Sequence, residues 1–386
     1  MGSLIVRERE AEYASRWAAG EWRGATLTTA AGAMYTLTYE GRPGGGPGPD
    51  FRDAVLRDAS GRRLCGDVEL HLRASGWRLH GHDRDPRYAQ VVLHVVVRTP
   101  AAGAPRVSPN VRGGGAPIVP LGSIVPGEPP RFPCEDVAAH LGPARLRALL
   151  LALGDARFAA RSSAFAASLA AVPEPHDPLG QAPPRGAHWD APGRVLCVAL
   201  AEALAYGRDR EPLRRAGERL AASDGLSAPG DRGSAALSSV ERARLRGLLA
   251  LAARWGDGGP WPWLRHTLAA GTARQAGEAL AAALAVPDGA ISRGRARILL
   301  ANVALPFAAA VDPSLASRAR AVYAALPGLP SNQITRAMGR QLGLPRQPAG
   351  ARAQLGLHHL WASACREKRC DACPCGAHGE APICYT

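Results

Sequence analysis

The chain has 386 residues, of which 46% are hydrophobic, so it is long and apolar enough for two or three domains with buried cores. No apolar run approaches the roughly 18 residues that cross a bilayer, and the N-terminus (MGSLIVR) carries an arginine too early for a secretory signal. These features predict a cytoplasmic protein without a membrane partner, and they do not specify an oligomeric state. The formal net charge of +14 favours a polyanionic partner such as nucleic acid. A biased composition is the alternative, because Lys368 is the only lysine.

The first hundred residues show patterns typical of strands with a leading helix. Apolar residues at helical spacing predict a first helix, and alternating or β-branched runs predict strands. The run VVLHVVVR is nearly all apolar, which is typical of a central strand buried on both faces. The predicted elements are a helix over 4–19, a β-hairpin over 26–39, a loop over 41–49, strands over 51–58 and 63–72, a helical turn within 83–90, and the central strand over 91–98.

The chain then changes character. Residues 100–133 are rich in Pro and Gly, which predicts a surface crossing, and residues 135–345 show apolar spacing near 3.6, which predicts an all-helical region broken at 172–192 and 223–238. Arginines on these helices either contact phosphates or form a solvated face. We therefore predict an α+β protein with three parts, an N-terminal domain over 1–130, an α-helical domain over 131–350 and a Cys-rich tail over 351–386.

The strand predicted over 63–72 carries polar residues on one face. Because alternate side chains of a strand share a face, Asp67, Glu69 and His71 should point the same way, and a tight hairpin brings Asp50 alongside Glu69. Two such carboxylates, with the Leu70 carbonyl oxygen as a third ligand, suit a hard divalent cation such as Mg²⁺ or Mn²⁺. The alternative is a solvated surface strand, and Asp67 in particular is typical of a solvated or merely supporting residue.

The string Pro49-Asp50, followed after eighteen intervening residues by Glu69-Leu70-His71, resembles the motif of the PD-(D/E)XK nuclease superfamily. The core of that superfamily is restriction-endonuclease-like and runs αβββαβ, an order similar to the elements predicted over 1–98. The resemblance implies that Asp50 and Glu69 hold a divalent cation and catalyse phosphodiester hydrolysis of DNA or RNA. His71 stands where the motif has lysine, and a histidine can position or deprotonate water. A degenerate site that only binds nucleic acid is the alternative.

Longer segments are similar to the uncharacterised bacterial "domain of unknown function 2851" family. They are GPDFRDAVLR, GDVELH and GWRLHGHDRDPRYAQVVLHVV, and the later GRARILLANVALPF and QLGLHHLWASACREKRCDACP. Gly76 replaces the acid that family members have before Trp77. An acidic residue near Trp17 is also typical of the family, and either Glu10 or Glu12 fits that place, with a role at the metal or just behind it. The residues that match the family pattern are Asp50, Glu69, His71, His80, His82, Asp85, Tyr88 and His94.

Four histidines lie between positions 71 and 94. His80 and His82 either extend the active site, contacting phosphate or a second metal, or pack beside Trp77 with their nitrogens bonded to the backbone. An imidazole-rich set favours Mn²⁺ or Zn²⁺ over Mg²⁺. His94 lies in the buried strand and is typical of a hydrogen-bonded core histidine.

Five of the eight cysteines fall within the last twenty-two residues. Cys370 and Cys373 have the C-x₂-C spacing that lets two thiolates face one metal, and Cys365 and Cys375 lie on either side. Tetrahedral Zn²⁺ or a cubane iron–sulfur cluster (4Fe–4S) suits such thiolates, and free thiols are the alternative. The layout is similar to RecB-type nucleases that close an iron–sulfur cluster with one distant cysteine, and this resemblance implies Cys134 as that ligand. A third interpretation of the chain is a metal-binding scaffold in which the cysteines, and not the carboxylates, carry the function.

Overall fold

The structure is a computed structural model that describes residues 2–44, 47–130, 132, 134, 137–171, 189–205, 210–222, 239–287, 290–370 and 373–375. Contacts divide the chain into two compact units. The first, here called the sheet unit, contains Met1–Gly142, Asn332–Pro345 and Leu360–Thr386, and the second, the helical unit, contains Pro143–Ser331 and Arg346–His359. Each unit therefore draws on segments that are distant in sequence.

The sheet unit is built on a mixed sheet of nine strands that follows a first helix, α1 (Gly2–Ala18). Eight strands lie in the order β7-β8-β6-β5-β4-β2-β1-β9, and β3 pairs with β4 beside this path. The strands are β1 (Thr26–Thr28), β2 (Met34–Tyr39), β3 (Arg42–Pro43), β4 (Phe51–Asp58), β5 (Arg63–His71), β6 (Val91–Val96), β7 (Val107–Pro109), β8 (Gly115–Pro120) and β9 (Ile124–Val125).

Strands β4 and β5 form the predicted antiparallel hairpin, in which Phe51 faces Val68 and Arg57 faces Arg63. The register shifts between Phe51 and Ala54, and Asp53 within this bulge has a positive φ of 59°. A bulge adds an unpaired residue and bends the strand, which redirects the side chains at its end. The hairpin therefore brings the chain before Phe51 beside the last third of β5.

Strand β6 runs parallel to β5, with Glu69 opposite His94 and His71 opposite Val96. The connection contains only a short helix, α2 (Gly76–Leu79), and a 3₁₀ turn at Pro86–Tyr88. Parallel strands usually need a longer crossover helix. The mixed α/β fold with helices after the sheet is confirmed, whereas the restriction-endonuclease-like αβββαβ core remains a prediction.

Two stretches predicted as irregular contain strands. The loop over 41–49 includes β3, and the surface crossing over 100–133 contributes β7, β8 and β9. Strand β8 pairs in parallel with β6, so the crossing returns to the sheet and encloses β6 on both sides. Proline and glycine lowered the strand signal of these segments, but β7 and β8 lie at one end of the sheet, where such residues are tolerated.

The two faces of β5 contact different side chains. Val68 and Leu70 belong to one buried cluster with Trp17 of α1, and Trp77 and Tyr88 form another with Val91. Because alternate residues of a strand face opposite sides, Glu69 and His71 lie on the face away from Val68 and Leu70.

The helical unit consists mainly of helices around one large apolar core. Near its start the helical stretch α3 is interrupted at Gly142 (φ 72°, ψ 162°), immediately before Pro143. The predicted break at 223–238 lies outside the described residues, as does 172–188 of the other break. The helices after α2 are α3 (Val137–Ala170), α4 (Ala191–Leu204), α5 (Glu211–Ala221), α6 (Ser239–Trp255), α7 (Pro260–Ala269), α8 (Ala273–Ala283), α9 (Arg293–Leu299), α10 (Leu305–Val311), α11 (Ala316–Ala325), α12 (Gln333–Gln341) and α13 (Ala351–Ser363).

A π-helical turn, Leu300–Ala304, joins α9 to α10. The whole segment Arg293–Val311 is long and apolar enough to cross a membrane by length and composition, with a mean hydropathy of 1.3. No apolar run of this length was expected from the sequence, so the structure corrects that expectation. Because 56% of it is buried inside the protein, this is weak evidence for a membrane span, since core helices of soluble proteins have the same composition.

Candidate active site

Asp50 and Glu69 meet at the open end of the β4–β5 hairpin. The Asp50 backbone N–H donates to Glu69 Oε2 (3.0 Å), and the Leu70 N–H donates to Asp50 Oδ2 (3.0 Å). Each carboxylate is thus held by the backbone next to the other. Glu69 is only 5% exposed, whereas Asp50 is exposed at the rim, so solvent reaches the pair from one side.

The glycine-rich loop before Asp50 contributes to this geometry. The Gly44 N–H donates to the Asp50 carbonyl (2.6 Å), and a Cβ on Gly44 would lie 2.1 Å from the Pro49 carbonyl oxygen. No other residue type fits that approach without moving the backbone. The sequence predicted a loop without regular structure here, and the residues described at its two ends lie close to Asp50.

Imidazoles surround the buried acid. His82 Nε2 lies 3.1 Å from Glu69 Oε1, and His71 Nε2 lies 3.7 Å from the same oxygen. His71 Nε2 is also 3.0 Å from His80 Nδ1. One nitrogen from each of His71, His80 and His82 lies within 4.8 Å of the others, so the three can hold one metal ion. The structure therefore brings both predicted acids and three of the four histidines into one cluster, here called the carboxylate–imidazole cluster.

Asp85 and Tyr88 help to hold His82 of this cluster in place. The Tyr88 ring stacks on His82 with centroids 3.7 Å apart, and Trp77 packs against both rings. Asp85 caps the turn that carries Tyr88, accepting from the Arg87 N–H (2.9 Å), and it pairs with the Arg87 side chain. Their contacts indicate that Asp85 and Tyr88 act by positioning His82.

His94 is the hydrogen-bonded core histidine that the sequence indicated. It is fully buried, with Nε2 2.9 Å from His71 Nδ1 and Nδ1 2.7 Å from Ser108 Oγ. Both nitrogens of His71 therefore have imidazole partners. Sequence reasoning missed Ser108, because nothing near it in the chain distinguishes it from other serines of a polar crossing.

Gly76 has an unexpected role in placing His71. A Cβ at this position would lie 2.7 Å from His71 Cδ2 and 2.8 Å from its Cγ. Within this chain, the absence of a side chain at position 76 allows the start of α2 to pack directly on the His71 ring.

Burial gives the acids and the imidazoles opposite pKa shifts. Desolvation raises the pKa of Glu69 to about 8, with a further increase from Glu10. Desolvation and the neighbouring Glu69 raise the pKa of Asp50, which is the more solvent-exposed acid. Desolvation and the other imidazoles lower the pKa of His71 to about 2, so that His71 is neutral near pH 7. Among the described residues, no arginine or lysine pairs with either acid. The cluster lacks a positive charge.

The structure distinguishes Glu10 from Glu12. Glu10 Oε1 accepts from the Leu72 N–H (3.1 Å) at the end of β5, whereas Glu12 is exposed on α1. Glu10 therefore lies beside the carboxylate–imidazole cluster and Glu12 does not contact it.

Of the two sequence-based interpretations of Asp67, a solvated or a supporting residue, the structure excludes the first. It is 1% exposed, and its Oδ1 accepts from the Asp53 N–H (3.2 Å) at the bulge in β4. The register of β5 against β6 shifts between Asp67 and Val68, which separates Asp67 from the regular alternation of Glu69 and His71. Asp67 stabilises the hairpin that presents Asp50.

Several arginines of the helical unit have partners within that unit. Arg157 and Arg161 both bond to Asn302 of the π-helical turn, and Arg214 pairs with Glu211 and Glu218. Such contacts favour structural roles for these three side chains over phosphate binding.

A second cluster of potential ligands lies elsewhere in the sheet unit. Cys134, Cys365, Cys370 and Cys373 line one small cavity, and Cys375 is buried close to Cys373. The structure thus brings all five predicted cysteines together, including the distant Cys134, into what is here called the cysteine cluster. Cys384 lies outside the described residues.

The fold and the site together define a mixed α/β sheet protein with a partly open cluster of carboxylates and imidazoles. Residues 13–103 match the model of a family described as protein of unknown function (DUF2851). This match contains Asp50, Glu69 and all four histidines of the site, but it ends before the helical unit and the cysteine cluster. Searches of the curated proteins and of the solved structures found no match.

Proposed function

We propose that this protein is a metal-dependent nuclease that hydrolyses phosphodiester bonds of DNA or RNA in the cytoplasm. The observation that supports the proposal best is the reciprocal hydrogen bonding of Asp50 and Glu69, which holds two carboxylates side by side at a solvent-accessible rim. The proposal also accounts for the resemblance to the PD-(D/E)XK motif.

The residues present fit a divalent cation. Two acids without a basic partner are costly to bury when ionised, and His82 Nε2 is a buried polar atom without an aligned hydrogen bond despite its proximity to Glu69. Asp50 and Glu69 would hold the ion, and His71, His80 and His82 favour Mn²⁺ over Mg²⁺ as the better fit. A bound divalent cation supplies Lewis-acid stabilisation of phosphoryl charge and lowers the pKa of water.

His71 can position or deprotonate water only in one tautomer. Its Nε2 must carry the lone pair, which faces His80 Nδ1, so that Nδ1–H donates to His94 Nε2 and His94 Nδ1–H donates to Ser108 Oγ. Burial keeps the ring neutral but lowers its pKa to about 2, so His71 is a weak base and is better suited to position water than to deprotonate it. In this arrangement Ser108 is a positioning residue for His71.

A nucleic-acid partner agrees with the charge of the chain and with the surroundings of the rim. The net charge is +14, and Arg73, Arg78 and Arg84 are exposed on the segment that carries His80. Arginines contribute sequence-independent affinity through phosphate contacts. An exposed backbone phosphate would thus meet positive charge beside the two acids.

The test uses the purified full chain with labelled single- and double-stranded DNA and RNA, each with Mg²⁺, Mn²⁺ or EDTA. We expect cleavage that requires the metal and is lost in Asp50→Ala. The matched control is Asp83→Ala, because Asp83 is an acid near the cluster that has no contact with Glu69 or His71 in the described structure. Cleavage that persists in Asp50→Ala would contradict the proposal.

One observation favours a second candidate, a nucleic-acid-binding protein whose site no longer cleaves. His71 is only 2% exposed and both of its nitrogens have imidazole partners, so it is less available than the motif's lysine. The same experiment separates the two candidates, since binding to every substrate without metal-dependent cleavage supports this second one.

A further inference from the structure

The cysteine cluster lies in a closed part of the sheet unit. Its cavity has a volume of about 10 Å³ and is lined by Cys134, Cys365, Cys370 and Cys373 together with Lys368 and Gln341. This is about the space of one small atom or ion. Cys365 and Cys373 are each 5% exposed and Cys134 is 3% exposed, whereas Cys370 is half-buried, so solvent barely reaches three of the four thiols.

The thiols of this cluster contact one another. Cys373 lies within hydrogen-bonding reach of both Cys365 and Cys375, and Gln341 Nε2 donates to Cys134 Sγ (3.1 Å). Thiols are weak hydrogen-bond partners, and such contacts alone give little reason to gather cysteines from opposite ends of the chain. Cysteines that converge in this way are typical of a thiolate metal site.

Lys368 provides an independent observation. The only lysine of the chain is 4% exposed, and among the described residues its Nζ has no hydrogen-bond partner. Nζ lies 3.6 Å from the centroid of the Tyr39 ring and 4.7 Å from that of Phe132, which are cation–π distances. Lys368 lines the same cavity as the four cysteines, so a negatively charged thiolate centre there would lie directly against this side chain.

The backbone around Lys368 is held in a strained conformation that directs it inward. Lys368 has a left-handed φ of 52°, and Arg63 Nη1 donates to the carbonyls of Glu367 (2.9 Å) and Lys368 (2.8 Å). Such a conformation at a residue other than glycine persists only where neighbouring contacts impose it. The arrangement therefore places one positive charge against the cysteine cavity.

We propose that Cys134, Cys365, Cys370 and Cys373 bind a single Zn²⁺ ion as thiolates, with the Lys368 ammonium as its buried counter-charge. Four thiolates around a divalent cation leave two negative charges in excess, and Lys368 offsets one of them. Cys375 packs against Cys373 and shields the centre from solvent. The centre fastens the C-terminal segment to the sheet unit.

This centre is separate from the carboxylate–imidazole cluster. Arg63, which bonds the Lys368 carbonyl, begins β5, and Glu69 lies six residues further along the same strand, or about 20 Å at strand spacing. The cysteine centre therefore has no part in the proposed hydrolysis, and its role is to stabilise the fold.

The first test is on the wild-type full chain purified without oxygen, with zinc, iron and acid-labile sulfide measured per chain. We expect about one zinc per chain and no visible absorption. A broad visible band with iron and sulfide would overturn the assignment of a single ion, and the absence of bound zinc even after anaerobic reconstitution with Zn²⁺ would overturn the proposal.

Variants then locate the metal. Cys134→Ser and Cys370→Ser should lose it, whereas Cys65→Ser, which changes an exposed cysteine of β5, and Glu69→Gln should retain it. Lys368→Met keeps the aliphatic stem and removes the charge, and we expect metal affinity to fall about 10- to 100-fold, as for other residues that support ligands. Metal retained in Cys134→Ser but lost in Glu69→Gln would place it at the other cluster and refute the assignment.

A second measurement uses only the wild-type chain, so its result does not depend on whether the variants fold. In the native wild-type chain, Cys65 should react with a thiol reagent at once, while Cys134, Cys365, Cys370 and Cys373 should react only after the metal is removed. Mass spectrometry of the alkylated peptides reads this directly. Equal reactivity of the four thiols before and after metal removal would also refute the centre.

Discussion

The carboxylate–imidazole cluster and the cysteine cluster lie in the same unit, yet they differ in ligand chemistry and in access. The first combines oxygen and nitrogen ligands, and its outer members, Asp50 and His80, are exposed. The second consists of sulfur ligands, and Cys134, Cys365 and Cys373 are at most 5% exposed. An open site of hard ligands suits exchange of water and substrate, whereas a closed thiolate site suits a permanent structural metal.

The two clusters also differ in the charged residues that lie beside them. A buried lysine lines the cysteine cluster, whereas no arginine or lysine among the described residues pairs with the acids of the carboxylate–imidazole cluster. Two acids without a nearby positive charge can bind a cation, and the bound cation can then bind a phosphate. The comparison shows that the two clusters differ in the charge of their neighbours as well as in ligand type.

The largest effect should follow from removing the buried acid of the open cluster. Glu69→Gln keeps the shape but removes the charge and should reduce cleavage more than Glu10→Gln. Glu10 supports the cluster from α1, and we expect its loss to reduce cleavage about 10- to 100-fold. Glu12→Gln is the matched control, because Glu12 is exposed on the same helix. Initial rates with Mn²⁺ measure the series, and equal losses in Glu10→Gln and Glu12→Gln would contradict the placement of Glu10.

A smaller effect should follow from filling the space at Gly76. The methyl group of Gly76→Ala would press on the His71 ring, and forced overpacking of this kind costs roughly 1–3 kcal/mol. Urea unfolding measures the change in the free energy of unfolding. Gly122→Ala is the control, because a Cβ there meets nothing within 4 Å. Because Gly76 contacts His71 of the carboxylate–imidazole cluster, Gly76→Ala should leave the amount of metal bound by the cysteines unchanged.

The smallest effect concerns pH and the protein free of metal at the open cluster. The pKa of Glu69 is raised to about 8 in the folded protein, above the ordinary value of 4.5. The folded state therefore binds a proton more tightly, and the stabilisation that Glu69 contributes below about pH 4.5 is lost as the pH rises through 8. Melting temperatures of wild type and Glu69→Gln between pH 5 and 9 should show a steeper decline for wild type. Saturating Mn²⁺ should reduce that difference, and parallel curves would argue against a buried acid.

Local parts of this picture were predictable from sequence. The hairpin of β4 and β5 depends on alternation and on a turn within about twenty residues, so the pairing of Asp50 with Glu69 could be anticipated. The C-x₂-C spacing likewise indicated Cys370 and Cys373. Strands β7 to β9 could not be predicted in the same way, because their Pro- and Gly-rich sequence becomes extended only when neighbouring strands supply hydrogen bonds.

The sequence by itself determined the first helix, the acid-bearing hairpin, the buried central strand and the apolar periodicity of the helices, because these follow from patterns within short windows. Only the tertiary structure decided that Glu10 and not Glu12 reaches β5, that Asp67 supports the bulge, that Ser108 ends the histidine chain, and that Cys134 joins the C-terminal cysteines around Lys368. The physical reason is that each of these contacts joins residues that are distant in sequence, so it exists only after the whole sheet unit has packed.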